Sequence, residues 1–193
     1  MRKIDEGKKE RVKQAVFEIT RDEGIAALSF GKIAKCAHVS SGTPYVYYKD
    51  KTEMLGKIYL EVKELIDKGL KAAIDEGQTK EERLFNGIYH FADQMTAHPL
   101  ESTYLDEIRD NPKLVTPEVI RQGNRLAQPI DDVFQEMIDA ELMTTNNREA
   151  LYALLFAPFM MVLKQRVVGK QPVMLSELET VIRLSMQGVL KNR

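Results

Sequence analysis

Apolar residues recur three and four positions apart along almost the whole chain, and no stretch alternates apolar with polar residues as a half-buried strand requires. Val12, Ala15, Val16 and Ile19 form one such stripe, and Leu178, Val181, Ile182, Ser185 and Val189 form another near the C-terminus. Glycines and prolines fall at the ends of periodic segments, where they punctuate helices. The pattern predicts an all-α chain of about nine helices.

The first helix is expected over about Gly7 to Asp22, stopped by Gly24. Ser29 is a good N-cap for a second helix ending near His38. The turn Val39-Ser40-Ser41-Gly42 follows, then a short helix from Thr43 to Lys49 with Pro44 in its first turn, where no helical N–H is lost. Asp50 caps the fourth helix with Glu53 three residues on. It is expected to run unbroken to Glu76, about 25 residues or roughly 38 Å. Gly77 to Thr79 reads as a junction. Helix five follows Thr79 and ends at His98-Pro99, and helix six covers about Leu100 to Arg109. Helix seven runs from Thr116-Pro117 to about Leu142 with a kink expected at Pro129. Helix eight runs from after Asn146 to about Val168 around Pro158. Helix nine starts at Ser176.

The chain has 193 residues, 44% hydrophobic and 30% charged, which fits a globular protein of one or two domains. The single cysteine, Cys36, cannot form an intrachain disulfide, and a reducing cytoplasm is expected. The opening MRKIDEGKKERV lacks the apolar core of an export signal. The longest nearly unbroken apolar run, Leu151 to Leu163, is thirteen residues. A membrane span needs about 20, so a buried helix and no membrane partner are expected. Net charge is −1, but residues 1–57 carry +4 and the remainder −5. A basic head on an acidic body points to a head that approaches a polyanion.

Two helices joined by the Val39–Gly42 turn have the spacing of a helix-turn-helix, whose second helix enters the DNA major groove. At about 100° per residue, Pro44 and Tyr48 share a core-facing side of the third helix. Thr43, Val46 and Tyr47 lie opposite, and Tyr45 sits on the shoulder, in reach of a phosphate. Lys49 and Lys51 flank the far end. The plainer alternative is that the three tyrosines only pack.

The stretch LSFGKIAKCAHVSSGTPYVYYKDKTEML, Leu28 to Leu55, resembles the DNA-binding domain of the TetR family of bacterial transcription regulators. The resemblance is carried by Ile33-Ala34, Val39-Ser40, Gly42-Thr43, Tyr45, Tyr48 at the usual Phe position, Lys51 and Leu55. AVFEITRDEG upstream matches the family's first helix and its Gly. It covers about residues 8–60. His38 stands where the family usually has Gly; that position often needs a left-handed backbone, which His tolerates. The resemblance implies a DNA-binding domain over residues 1–52 with its motif at about 29–48, a connecting helix over 53–76, and an effector-binding and dimerisation domain over 77–193. It implies base or nearby backbone contacts for Ser41, Thr43 and Tyr47 and phosphate contacts for Tyr45 and Lys51. Ser29 and Lys32 would touch a flanking phosphate, and Ser40, Gly42, Pro44 and Lys49 complete the DNA-contacting set. Arg2 and Lys3 are in reach of DNA as an arm, although a solvated terminus is the preferred reading.

The resemblance also implies a homodimer on a pseudo-palindromic operator, built from helices eight and nine as a four-helix bundle. Ala153, Ala157, Leu178, Val181, Ile182, Ser185 and Val189 are the expected dimer face. A small-molecule effector is implied among helices four to eight, with Phe85, Tyr89, Tyr104, Phe134, Tyr152, Phe156, Phe159 and Met160 as apolar candidates and Asn86, Asn124 and Gln128 as polar ones. Plain core packing is the competing reading for each of them.

No catalytic, cofactor or metal motif is present. His38, His90 and His98 do not cluster along the chain, and Asp131-Asp132 point in different directions. Three readings remain: a repressor released from DNA by a small molecule, a DNA-binding regulator controlled by a protein partner or its own abundance, and a helical enzyme or binding module with a vestigial head.

Overall fold

The computed structural model describes residues 5–191. The chain is all-α: α1 (Glu6–Glu23), α2 (Phe30–Cys36), α3 (Thr43–Tyr47), α4 (Lys51–Asp67), α5 (Leu70–Asp75), α6 (Lys80–Ala97), α7 (Pro99–Asp110), α8 (Pro117–Leu126), α9 (Gln128–Asp139), α10 (Arg148–Leu155), α11 (Ala157–Val168) and α12 (Leu175–Val189). An isolated antiparallel pairing joins Met143 to Leu190.

The helix count exceeds the expected nine because three long helices are each divided. The fourth ends at Asp67, and Gly69 at φ +86° is the N-cap of α5. Such a left-handed backbone is open to glycine at little cost. The seventh is interrupted at Ala127 and the eighth at Phe156. In both, the proline expected to kink a continuous helix stands in the first turn of a new one. Proline has no N–H for the carbonyl four residues back and its ring crowds that carbonyl, so ending one helix and starting another relieves both faults. The α10–α11 break turns the chain through an angle of 40°. Among the described residues no single helix is long and apolar enough to cross a membrane.

The chain packs as two units, and these are not consecutive stretches of sequence. Residues 1–63 join residues 100–123, and residues 64–99 join residues 124–193. In the first unit α1 packs on α2 and α3. Its core includes Val12, Val16, Ile33, Tyr48, Met54, Leu55 and Ile58. Tyr104 of α7 belongs to this core: it meets Phe17 edge-on at 5.5 Å and its hydroxyl donates to the Leu55 carbonyl at 2.7 Å. Tyr59 lies so close to Gly123 of α8 that a Cβ there would stand 2.5 Å from its ring. The second unit is built around α6, which packs on α5, α9 and α12. Thr79 and Glu82 close a reciprocal capping box at its N-terminus. Its core includes Leu84, Ile88, Ile130, Phe134, Leu151, Phe159, Leu178, Ile182 and Val189.

A Cβ added at Gly69 would meet only His90 Cε1 at 3.6 Å, an ordinary contact, so the cost of a side chain there lies in the backbone. Gly69→Ala is expected to lower unfolding stability by about 1 kcal/mol, read from the urea midpoint at constant slope. An unchanged midpoint would mean that the α4–α5 joint does not need its left-handed residue.

Candidate nucleic-acid interface

The interface begins with the end of α2. His38 has φ +52°, its N–H donates to the Lys35 carbonyl at 3.3 Å, and the Val39 N–H donates to the Ala34 carbonyl at 3.0 Å. This pair of bonds around a left-handed residue is a Schellman ending, so His38 fills the role that glycine usually fills. At the other end of α2, the Ser29 hydroxyl accepts from the Lys32 N–H at 3.3 Å. That cap uses one acceptor position of the Ser29 hydroxyl.

The turn then delivers α3. The Thr43 N–H donates to the Ser40 carbonyl at 2.9 Å, and the two hydroxyls lie 2.8 Å apart. Thr43 is thereby buried, against the expectation that it faces a groove. As the first residue of its helix it folds its side chain back over the turn. Pro44 is buried as well, so it anchors the helix. Tyr48 is 1% exposed and is the core anchor expected of it. Tyr45 and Val46 are 65% and 58% exposed. The Tyr45 ring is held edge-on against Phe30 at 4.6 Å. Tyr47 is half-buried and its hydroxyl donates to the Asp5 carbonyl at 2.8 Å, which ties α3 to the start of α1.

The cations divide the same way. Lys32 Nζ pairs with the Glu23 carboxylate, and Lys51 Nζ donates to the Leu28 carbonyl at 2.8 Å. Each thus has a structural task beside any phosphate contact. Lys49 is exposed, and its N–H donates to Glu53 Oε2 at 2.6 Å while Asp50 Oδ1 accepts from the Glu53 N–H at 2.8 Å. Ser40, Ser41 and Gly42 are exposed on the turn. Arg2 and Lys3 lie outside the described residues. Cys36 is half-buried and donates to Glu18 at 3.6 Å; burial, with Glu18 beside it, pushes its pKa up and keeps it a thiol.

The effector candidates scatter over three places. Tyr104, with no exposed surface, is core of the first unit. Phe85 and Tyr89 stack at 5.4 Å on the outside of α6, where the Arg183 guanidinium covers Phe85 at 4.1 Å. Asn86 lines the groove between α6 and α12 there. Asn124 and Gln128 are exposed, and the Gln128 amide donates to Asp132 at 2.9 Å. Only Phe134, Tyr152, Phe156 and Phe159 converge, with Phe91 as a fifth ring that sequence reasoning did not select. The Tyr152 hydroxyl donates to Asp131 at 2.8 Å, and burial pushes its ionisation far up. Met160 is half-buried on the same helix as Phe159.

The expected dimer face is half corrected. Leu178, Ile182 and Val189 are fully buried within their own unit and cannot meet a partner. They form the inner stripe of α12. Its outer stripe, Val181, Leu184, Ser185 and Gly188, lines an apolar groove with Leu154 and Pro158. Ala153 and Ala157 are exposed, as are Leu154, Met161, Val168 and Leu184. The missed signal was a second stripe at three- and four-residue spacing beside the first. Among the described residues no three His, Cys, Asp or Glu side chains converge as a metal set.

No family model and no curated protein matches the chain. Solved structures do. A TetR family transcription regulator from Marinobacter aquaeolei VT8 superposes with a TM-score of 0.82 at 21% identity, covering 100% of both chains. A TetR-family transcriptional regulator from Haemophilus influenzae Rd gives 0.67 at 21% identity over 98% of this chain and 100% of its own. The fatty acid degradation regulator FadR from Bacillus halodurans gives 0.68 at 18% identity over 93% and 98%. The chain therefore has the fold of TetR family regulators.

The Tyr48 hydroxyl is buried without a hydrogen-bond partner among the described residues, and its burial pushes its pKa far above the usual tyrosine value. Leaving such a group unsatisfied costs about 1–3 kcal/mol. Tyr48→Phe is expected to raise unfolding stability by about 1 kcal/mol with DNA affinity unchanged. A loss of stability in the denaturation curve would mean that the hydroxyl holds a contact, such as a bound water.

Proposed function

We propose that the chain is a sequence-specific DNA-binding transcription regulator of the cytoplasm, acting as a homodimer on a pseudo-palindromic operator. The observation that carries this reading is the division of α3 and its C-cap into an anchored side, Pro44 and Tyr48, and an open side, Tyr45 and Val46. A short helix that buries its tyrosine anchor while leaving another tyrosine and a valine in solvent has a surface available for a groove. Lys49 beside it supplies charge for phosphate, and the exposed Ser40, Ser41 and Gly42 supply polar groups. The regulators that share the fold support the same class. No catalytic role is part of this reading.

The dimer is proposed to close over the outer stripes of α11 and α12. Met161, Val168 and Leu184 are each more than half exposed on helices whose other sides are core. Large apolar side chains exposed in this way are costly in water and are covered by association. A two-fold axis would set the heads on half-sites about 34–36 Å apart or somewhat more.

Repression relieved by a small molecule is the simplest control. An effector that prefers the geometry unable to match the operator lowers DNA affinity by its differential affinity for the two states. The chain of α4 continues from the first unit into the second, so α4 is the proposed lever. The ring cluster of Phe91, Phe134, Tyr152, Phe156 and Phe159 is the proposed apolar site. Its rings already pack on one another, which favours the second reading: a regulator without a small-molecule effector, governed by a protein partner or its abundance.

Selection of randomised duplexes at fixed salt is expected to enrich a palindrome; recovery of unrelated sequences would sink the regulator reading. On the enriched duplex and on a scrambled one, Lys49→Ala should weaken binding alike and reduce the slope of log affinity against log salt by about 1 per phosphate lost. A change in base preference at one position would contradict a phosphate role. Leu184→Asp is expected to convert the dimer to a monomer in sedimentation at micromolar concentration. A dimer that persists would place the interface elsewhere.

A further inference from the structure

Each side chain of α3 except one already has a task in the fold. The Thr43 hydroxyl is held at 2.8 Å from Ser40 Oγ and is buried. Pro44 and Tyr48 are core. The Tyr47 hydroxyl is spent on the Asp5 carbonyl at 2.8 Å. The Tyr45 ring is clamped on Phe30 at 4.6 Å, which holds its phenol on the shoulder of the helix. Val46 remains, 58% exposed in the middle of the open side.

Valine is a poor choice there by any local criterion. Its helix propensity is low, and exposed methyl groups bring no gain to the free protein. It does have one property useful in recognition: branching at Cβ fixes χ1, so two methyl groups stand in a set place before any ligand arrives. Those methyls neither donate nor accept hydrogen bonds. On the major-groove edges of the base pairs the apolar group that can meet them is the C5-methyl of thymine.

We infer that Val46 reads a thymine C5-methyl in each half-site and is the specificity-determining residue of α3. This rests on the DNA-binding reading of the same helix. It assigns Tyr45 to the backbone side, and it fits with the Thr43 and Tyr47 hydroxyls each being held by a partner within the fold.

The test uses the enriched duplex, with each thymine replaced in turn by deoxyuridine. Uracil keeps every hydrogen-bonding group of thymine and removes only the methyl. Wild-type protein is expected to bind about fourfold more weakly when one particular thymine of a half-site is replaced, the equivalent of one buried methyl. Val46→Ala should bind the thymine and uracil forms of that duplex equally. Sensitivity to the same thymine in both proteins would overturn the assignment to Val46. A wild type indifferent to every replacement would overturn methyl reading while leaving DNA recognition standing. A selection that enriches no duplex would remove the DNA-binding reading itself, and this inference with it.

Discussion

A helix of five residues cannot hold itself together. Fixing its backbone costs more than its single turn of hydrogen bonds returns, so α3 exists only because the rest of the first unit holds it. Tyr48 supplies the anchor at one end with its ring wholly buried, and Pro44 supplies it at the other. The Ser40–Thr43 hydroxyl pair fixes the entry, and the Tyr47 hydroxyl fastens the exit to the start of α1. The surface offered by Tyr45 and Val46 is thus positioned by contacts that lie behind it. The same economy explains the Schellman ending at His38. The turn must reverse direction in few residues, and its two bonds satisfy carbonyls that α2 would otherwise leave open.

In the second unit the governing constraint is the missing proline N–H. Pro158 stands in the first turn of α11, and at the 40° turn between α10 and α11 the Phe156 ring packs against Phe91, Phe134 and Phe159. An unbroken helix would carry those rings along one straight face. Once α11 is redirected, its inner stripe of Phe159, Leu163 and Val167 is buried, and its outer stripe carries Met161 and Val168 into solvent. On α12 the inner stripe of Leu178, Ile182 and Val189 is buried and Leu184 lies outward. Core packing and the exposed apolar face are therefore two consequences of the same pair of helices.

Much of the head was legible before any coordinates. Ser29 as a cap, the turn at Val39–Gly42, Asp50 with Glu53, and Tyr48 pointing inward all follow from local chemistry within a few residues. A wheel drawn on Thr43–Tyr48 nevertheless misplaced Thr43. A wheel assumes that each side chain points straight out from the axis, and a threonine at a helix start bends back to the turn instead. Tyr104 was misplaced for a different reason. α7 joins the first unit although about fifty residues separate its tyrosine from the Leu55 carbonyl it meets, and periodicity carries no information about pairing at that range.

The divisions at Gly69, Ala127 and Phe156 were not read in advance. Sequence alone determined where most helices begin and which residues carry an apolar stripe. These are matters of backbone geometry and side-chain chemistry over a span of three or four residues. Tertiary structure decided which of two adjacent stripes on α12 turned inward, which hydroxyls were spent within the fold, and which segments were packed together. Those outcomes depend on what stands opposite each side chain. A helix with apolar residues on two sides is equally content to bury either until a neighbour of the right shape takes one of them.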